Sequence, residues 1–160
     1  MSIRKQILDV IGSRLTNIKK ANGYNETILD TSIRRASLTP FKNGDLPAVN
    51  YWPSKDVLEA KLHGRESRIL PVTIEAYAVT RDVPFVDVAM SLEDDIAIAL
   101  YRDTEAPLIG DNPSPALGGL VKSVTVLSAT PVIGEGQSPW CGNIVELEIA
   151  YSIRLGQLNT

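Results

Sequence analysis

The ten residues VELEIAYSIR at positions 145–154 decide the fold. Apolar side chains occupy alternate positions, and polar or small side chains fill the positions between them. An alternation with a period of two predicts a β-strand that buries one face and leaves the other for solvent or a neighbouring chain. Residues 120–132 form a second candidate strand, and residues 134–142 contain the Gly and Pro typical of a connection. The C-terminal part is therefore predicted to be a β-hairpin.

Two amphipathic helices are predicted upstream of this hairpin. In residues 84–101 apolar side chains recur every three or four positions, which is the spacing of a helix with one buried face. The acidic run 93–95 in this helix is expected to belong to its solvated face. The same spacing occurs over residues 3–18, with Ser2 as a candidate N-cap.

Further strands are predicted between the two helices, near residues 27–38, 48–52 and 70–78. Residues 53–66 leave two alternatives open, a short helix capped by Ser54 and a hairpin loop, and residues 103–117 are predicted to be a long loop. The order of elements is α-β-β-β-α-β-β. We predict one α+β domain over residues 1–160, with a mainly antiparallel sheet of four to five strands and two principal helices packed on one face.

The composition favours a protein whose partners are other proteins. The chain has 160 residues, a formal net charge of -3 and no long basic run of the kind that grips nucleic acid. Its single cysteine cannot form an intrachain disulfide, which fits a reducing cytoplasm. No signal peptide and no apolar run long enough to cross a bilayer are recognised, so we expect no membrane partner.

The sequence contains few groups suited to catalysis. His63 is the only histidine, and its polar surroundings favour an exposed loop position over a catalytic base. Cys141, between Trp140 and Gly142, is expected to be a packing residue in a turn rather than a nucleophile. No zinc-ligand spacing, phosphate-binding loop or nucleophile elbow is present. We therefore predict no catalytic, cofactor-binding or metal-binding residues, and a protein that is not an enzyme.

Four stretches of the chain resemble the tail terminator proteins of tailed bacteriophages, also called tail completion or minor tail protein U-like proteins. They are Leu46–Asn50, Arg68–Tyr77, Asp94–Leu100 and Val145–Arg154. The order of helices and strands also agrees with that family over nearly the whole chain. The resemblance implies an α+β protein that forms a hexameric ring on the last ring of the tail tube, stops tube growth and presents a docking surface to the head connector.

The same resemblance implies the partners and the location. The partners would be further copies of the chain, the tail tube protein and the head–tail connector protein, with the tail sheath as an additional candidate. DNA would pass through the lumen of the ring without specific binding. The protein would be assembled in the host cytoplasm and would lie at the head-proximal end of the virion tail.

Eight residues are candidates for partner interfaces, or alternatively ordinary exposed residues. They are Asp111 and Asn112 in the long loop, Glu135, Gln137 and Trp140 at the hairpin tip, and Glu146, Glu148 and Arg154 on the second face of the final strand. Two other functions remain open at this point. One is a monomeric adaptor or chaperone-like binding module for virion assembly. The other is a small hydrolase that uses a carboxylate pair such as Glu146 and Glu148.

Overall fold

We describe a computed structural model that covers residues 2–80, 83–101, 116–134 and 139–154. These residues form two α-helices and six β-strands. In chain order the elements are α1 (Ile3–Leu15), β1 (Ile33–Arg35), β2 (Ala48–Pro53), β3 (Val57–Leu62), β4 (Arg65–Val79), α2 (Phe85–Tyr101), β5 (Ser123–Ile133) and β6 (Trp140–Arg154).

The strands form one sheet in the order β1-β2-β4-β6-β5, and β3 pairs with β4 beyond the end of β2. All pairs are antiparallel except β1 with β2. The predicted α+β class, with a mainly antiparallel sheet and helices packed on it, is confirmed. The sheet has one strand more than predicted because residues 53–66 contribute β3 to it.

The hydrophobic core lies between the helices and one face of the sheet. β4 and β6 are paired over fifteen residues each, from Arg65 opposite Arg154 to Val79 opposite Trp140. Their helix-facing apolar side chains are fully buried or nearly so. Each such Leu, Ile or Val contributes about 1.5–3 kcal/mol through its removal from water. The predicted alternation in residues 145–154 is therefore confirmed.

Helix α1 begins at the predicted cap, because the Ser2 side chain accepts a hydrogen bond from the Lys5 N–H at 3.3 Å. Gly12 lies inside this helix, where glycine usually costs about 1 kcal/mol relative to alanine. A Cβ at this position would collide with the hydroxyl of Tyr51, which donates a hydrogen bond to the Leu8 carbonyl at 3.1 Å. The glycine thus makes room for a buried tyrosine that joins β2 to α1.

Two local predictions differ from the structure. Residues 27–38 contribute only the three-residue strand β1, because residues 30–32 form a turn of 3₁₀ helix instead. That turn is held by the Ser32 hydroxyl, which donates to the Asp45 carbonyl at 2.6 Å. The helix alternative for residues 53–66 is wrong, because Val57–Leu62 pairs with β4 as a strand.

The prediction of a solvated acidic face on α2 is wrong for Asp95, which has no exposed surface. Its carboxylate accepts hydrogen bonds from the backbone N–H of Asn25 at 2.8 Å, from the side-chain amide of Asn25 at 3.1 Å and from the backbone N–H of Glu26 at 2.9 Å. Burial raises the pKa of the Asp95 carboxyl, while the donors from Asn25 and Glu26 act in the opposite direction. Asp95 therefore fastens residues 25–26 to α2.

Candidate interaction surfaces

The second face of the sheet, which we call the open face, is not covered by α1 or α2. It consists of the β2, β4, β5 and β6 side chains that alternate with the core residues. Most of these side chains are half-buried, in contrast to the fully buried core positions beside them. Register places Trp52, Thr73, Glu146 and Ser128 in one row across four strands. On β4, β5 and β6 the open face is therefore a surface that a partner can reach, whereas Ala48 and Asn50 on β2 are buried.

An acidic stripe crosses the middle of the open face and consists of Glu75, Glu146 and Glu148. Glu146 accepts a hydrogen bond from the Thr73 hydroxyl at 3.0 Å. None of the three carboxylates forms a salt bridge with another described residue. The predicted candidates Glu146 and Glu148 thus lie side by side on the open face, as the period of two required.

A basic end terminates the open face and consists of Arg65, Lys122 and Arg154. Arg65 and Arg154 are direct register partners on β4 and β6. The Lys122 ammonium donates to the Ser67 hydroxyl at 2.8 Å, which holds it over the same end of the sheet. The three cations line a shallow depression of about 320 Å³ that includes no acidic side chain among its described walls. Sequence reasoning selected Arg154 but missed Arg65 and Lys122, because the three residues are far apart along the chain.

The β3–β4 hairpin forms a second exposed region. Its turn is the dipeptide His63-Gly64, in which both residues have positive φ angles of 48° and 73°. This geometry is the type I′ turn that connects two strands tightly. His63 is exposed, in agreement with the loop position expected for it. All six residues of β3 are exposed, although three of them are large and apolar.

A buried polar network fixes the base of the hairpin to the domain. The Asp56 side chain is only 8% exposed and accepts hydrogen bonds from the Arg68 guanidinium at 3.1 Å and the Tyr151 hydroxyl at 2.8 Å. Glu66 contacts the other side of the Arg68 guanidinium at 2.9 Å. Hydrogen bonding to Glu66 raises the pKa of Arg68, and burial, followed by Asp56, raises that of Tyr151. The hairpin is therefore anchored through charge-assisted bonds that orient it.

Trp140, a predicted interface residue, is half-buried in an aromatic corner at the other end of the open face. Its ring meets Tyr77 edge-on with the ring centroids 5.4 Å apart, and the Phe41 ring centroid lies 6.3 Å from that of Tyr77. Two glycines leave room for these rings. A Cβ on Gly134 would lie 2.6 Å from the Trp140 ring, and a Cβ on Gly142 would lie 2.5 Å from the Tyr77 ring. The corner borders a depression of about 330 Å³, and the Arg34 guanidinium lies 4.3 Å from the centre of the Phe41 ring.

Five other residues were singled out from the sequence, four as interface candidates and Cys141 as a packing residue. Asp111, Asn112, Glu135 and Gln137 lie outside the described residues. Cys141 is buried, but in β6 rather than in a turn, because β6 begins one residue earlier. Burial raises the pKa of its thiol, and the charge of Glu26 adds to this, so the reactive thiolate is disfavoured.

In the part of the chain that the structure describes, no three His, Cys, Asp or Glu side chains are grouped so that they could hold a metal ion. Neither of the helices described above has the length and apolar character needed to cross a membrane.

No protein-family model matches the sequence, and a search of curated proteins finds no significant similarity.

Proposed function

We propose that this protein is a structural component of a tailed bacteriophage that assembles with copies of itself into a ring. The ring would act as a tail terminator, which caps the tail tube, stops its growth and provides the docking surface for the head connector. The resemblance of the sequence to tail terminators supports the identity of the assembly. The surface of the molecule supports the physical mode of action, which is contact with other chains.

The observation that carries the proposal is the exposed edge of β3. Val57 and Leu58 are each 47% exposed and Leu62 is 67% exposed, on a strand that pairs with β4 on one side only among the described strands. An edge strand with apolar side chains offers unpaired backbone groups and a hydrophobic contact to another chain. Proteins usually avoid such an edge unless a partner covers it. We infer that another subunit covers β3 in the assembled state.

The open face supplies a second surface, separate from the hairpin edge. A ring subunit must contact two neighbours in its own ring and different proteins above and below it. Several distinct exposed surfaces on one small domain meet that requirement better than one concave pocket does. The tail tube and the head connector are the partners expected for the surfaces that the neighbouring subunits leave free.

The test is to image the purified protein alone and after mixing with isolated tail tubes, by negative-stain electron microscopy across a concentration series. We expect rings, or tubes that carry a cap at one end and no longer elongate. In the phage, deletion of the coding sequence should give overlong tails or tails without heads.

A pair of matched variants tests whether the β3–β4 hairpin takes part in assembly. Replacing Leu58 and Leu62 by Ser should weaken ring formation, whereas Leu38→Ser, which changes another highly exposed leucine, should leave it intact. Normal tail lengths with attached heads in the deletion phage would contradict the proposal. A chain that stays monomeric yet is retained by virion proteins would instead indicate the adaptor function.

A further inference from the structure

The charges of the open face are segregated along the same strands. On β6, Glu146 and Glu148 lie in the middle of the face and Arg154 lies at its end. Six residues separate Glu148 from Arg154, which is about 20 Å along an extended strand. The basic end and the acidic stripe are therefore too far apart within one molecule to neutralise each other by direct contact.

Among the described residues, no acidic side chain offsets the positive charge of the basic end. Arg65 and Arg154 are directly opposite each other on neighbouring strands, an arrangement in which like charges are unfavourable. Within the described part of the chain, neither arginine forms a salt bridge. Lys122 adds a third positive charge to the same depression. An anionic group placed between these side chains would relieve their repulsion.

The carboxylates Glu146 and Glu148 of the acidic stripe have no cationic side chain among their register neighbours. The register neighbours of Glu148 are Pro71 and Thr125, and those of Glu146 are Thr73 and Ser128. No cationic side chain occupies any of these positions. The register neighbours of these carboxylates are neutral. Cationic groups of another molecule placed over the stripe would therefore gain charge-assisted hydrogen bonds to Glu146 and Glu148.

We propose that the basic end of one copy binds the acidic stripe of a second copy, and that this contact joins successive subunits of the ring. The inference rests on the proposed function, because it identifies the surfaces through which that ring would close. A second copy is favoured over nucleic acid because the acidic stripe shares the same face and would repel phosphates. The net charge of -3 acts in the same direction.

The two patches differ, so the contact is heterologous, with each subunit offering its basic end to one neighbour and its acidic stripe to the other. Heterologous contacts generate a ring when the rotation between subunits closes. Electrostatic complementarity of this kind fixes the register between subunits and speeds their encounter. Assembly should therefore weaken as the salt concentration rises.

The test uses two charge-reversal variants of the full chain and their mixture. The first, Arg65→Glu with Arg154→Glu, makes both patches acidic. The second, Glu146→Lys with Glu148→Lys, makes both patches basic. Each variant alone should assemble at least about tenfold more weakly than the unsubstituted chain, because like charges meet at every contact. A 1:1 mixture should assemble again, because alternating acidic and basic subunits restore an attractive contact at every interface.

The control is Lys20→Glu with Lys42→Glu, which changes the net charge by the same amount as the arginine variant at two exposed positions outside both patches and outside β3. It should assemble like the unsubstituted chain. Circular dichroism establishes that each variant is folded. If the double replacement on β6 disturbs the sheet, Glu148→Lys and Arg154→Glu serve as single variants in the same mixing experiment. Mass photometry measures the size and composition of the particles.

Three results would overturn the proposal. Undiminished rings of both variants would show that other surfaces join the subunits, although the ring itself would stand. Binding of duplex DNA by the unsubstituted chain that is lost in the Arg65 and Arg154 variant would assign the basic end to phosphates. Failure of the unsubstituted chain to assemble, alone or on tail tubes, would remove the proposed function together with this inference.

Discussion

The two faces of the sheet use the same strands for opposite purposes. Along β6, Val145, Leu147 and Ile149 face the helices and are at most 1% exposed, whereas Glu146 and Glu148 face outward and are half-buried. The covered face obtains its stability from apolar burial. The open face is free of that requirement and carries charges, which suit contacts with other chains. The comparison shows how one alternating sequence can combine a stable core with a surface available for assembly.

The largest expected effect separates the two faces at neighbouring positions. Leu147→Ala should lower the free energy of unfolding by about 3–4 kcal/mol, because it removes a buried side chain and leaves a cavity. Glu148→Ala should change it by no more than about 0.5 kcal/mol, because that side chain faces outward and has no salt bridge in the described structure. Guanidinium denaturation of both variants at low protein concentration measures the difference. Equal losses would mean that the open face is also part of the core.

A somewhat smaller effect is expected in the aromatic corner of the open face, where the space beside Tyr77 is tightest. A Cβ at Gly142 would collide with the Ala76 carbonyl and lie 2.5 Å from the Tyr77 ring. Gly142→Ala should therefore cost about 2–3 kcal/mol of stability through the backbone shift that it forces. Gly44→Ala is the matched control, because a Cβ there meets nothing within 4 Å. The same denaturation series compares the two, and an unchanged midpoint for Gly142→Ala would argue against the close strand contact.

Asp95 tests whether the helix that covers the core is held by polar contacts as well as by apolar ones. Asp95→Ala should cost about 2 kcal/mol, because it removes a buried acceptor and leaves the part-buried N–H groups of Asn25 and Glu26 without their hydrogen bonds. The adjacent Asp94 is exposed, so Asp94→Ala should be nearly neutral. Hydrogen exchange should also reveal faster exchange of these two amides in the Asp95 variant only. Equal exchange rates of the Asn25 and Glu26 amides in both variants would contradict the conclusion that Asp95 fastens residues 25–26 to α2.

The sequence predicts features that depend on neighbours along the chain better than features formed by distant residues. The alternation in residues 145–154 and the helical spacing in residues 84–101 follow from one buried face each, and both elements are present. The partners of Asp95 lie about 70 residues away, and Arg65 meets Arg154 only because β4 and β6 pair in one register. No local pattern contains that information.

Short or exposed elements are also hard to predict from their own residues. The strand β3 has no buried side chain and therefore no periodic core signal, and the structure, not the sequence, identifies His63-Gly64 as the turn of the hairpin. In residues 27–38 the apolar positions fit a strand, but the Ser32 contact with Asp45 holds part of the segment as a turn. Tertiary contacts overrode the local preference in that segment.

The smallest effect concerns the aromatic corner of the open face, where Tyr77 is half-buried. Burial, with a contribution from Glu75, raises the pKa of Tyr77 to about 12, because Phe41 and Trp140 enclose its ring. An unfolded tyrosine titrates near pH 10. The folded state therefore holds the Tyr77 proton more tightly than the unfolded state. The resulting stabilisation is fully present below pH 10 and is lost as the pH rises towards 12.

Unfolding free energies measured between pH 9 and pH 12 test this distinction. The unsubstituted protein should lose more stability over that interval than Tyr77→Phe, which cannot ionise at this position but retains the ring contacts. Phenolate absorbance of the folded protein should also lack one component near pH 12 in the variant. Parallel stability curves for the two proteins would mean that Tyr77 is as exposed to water as the rest of the open face. In that case the aromatic corner would belong to the accessible surface, and a partner could bind across the whole sheet rather than only over its charged middle and basic end.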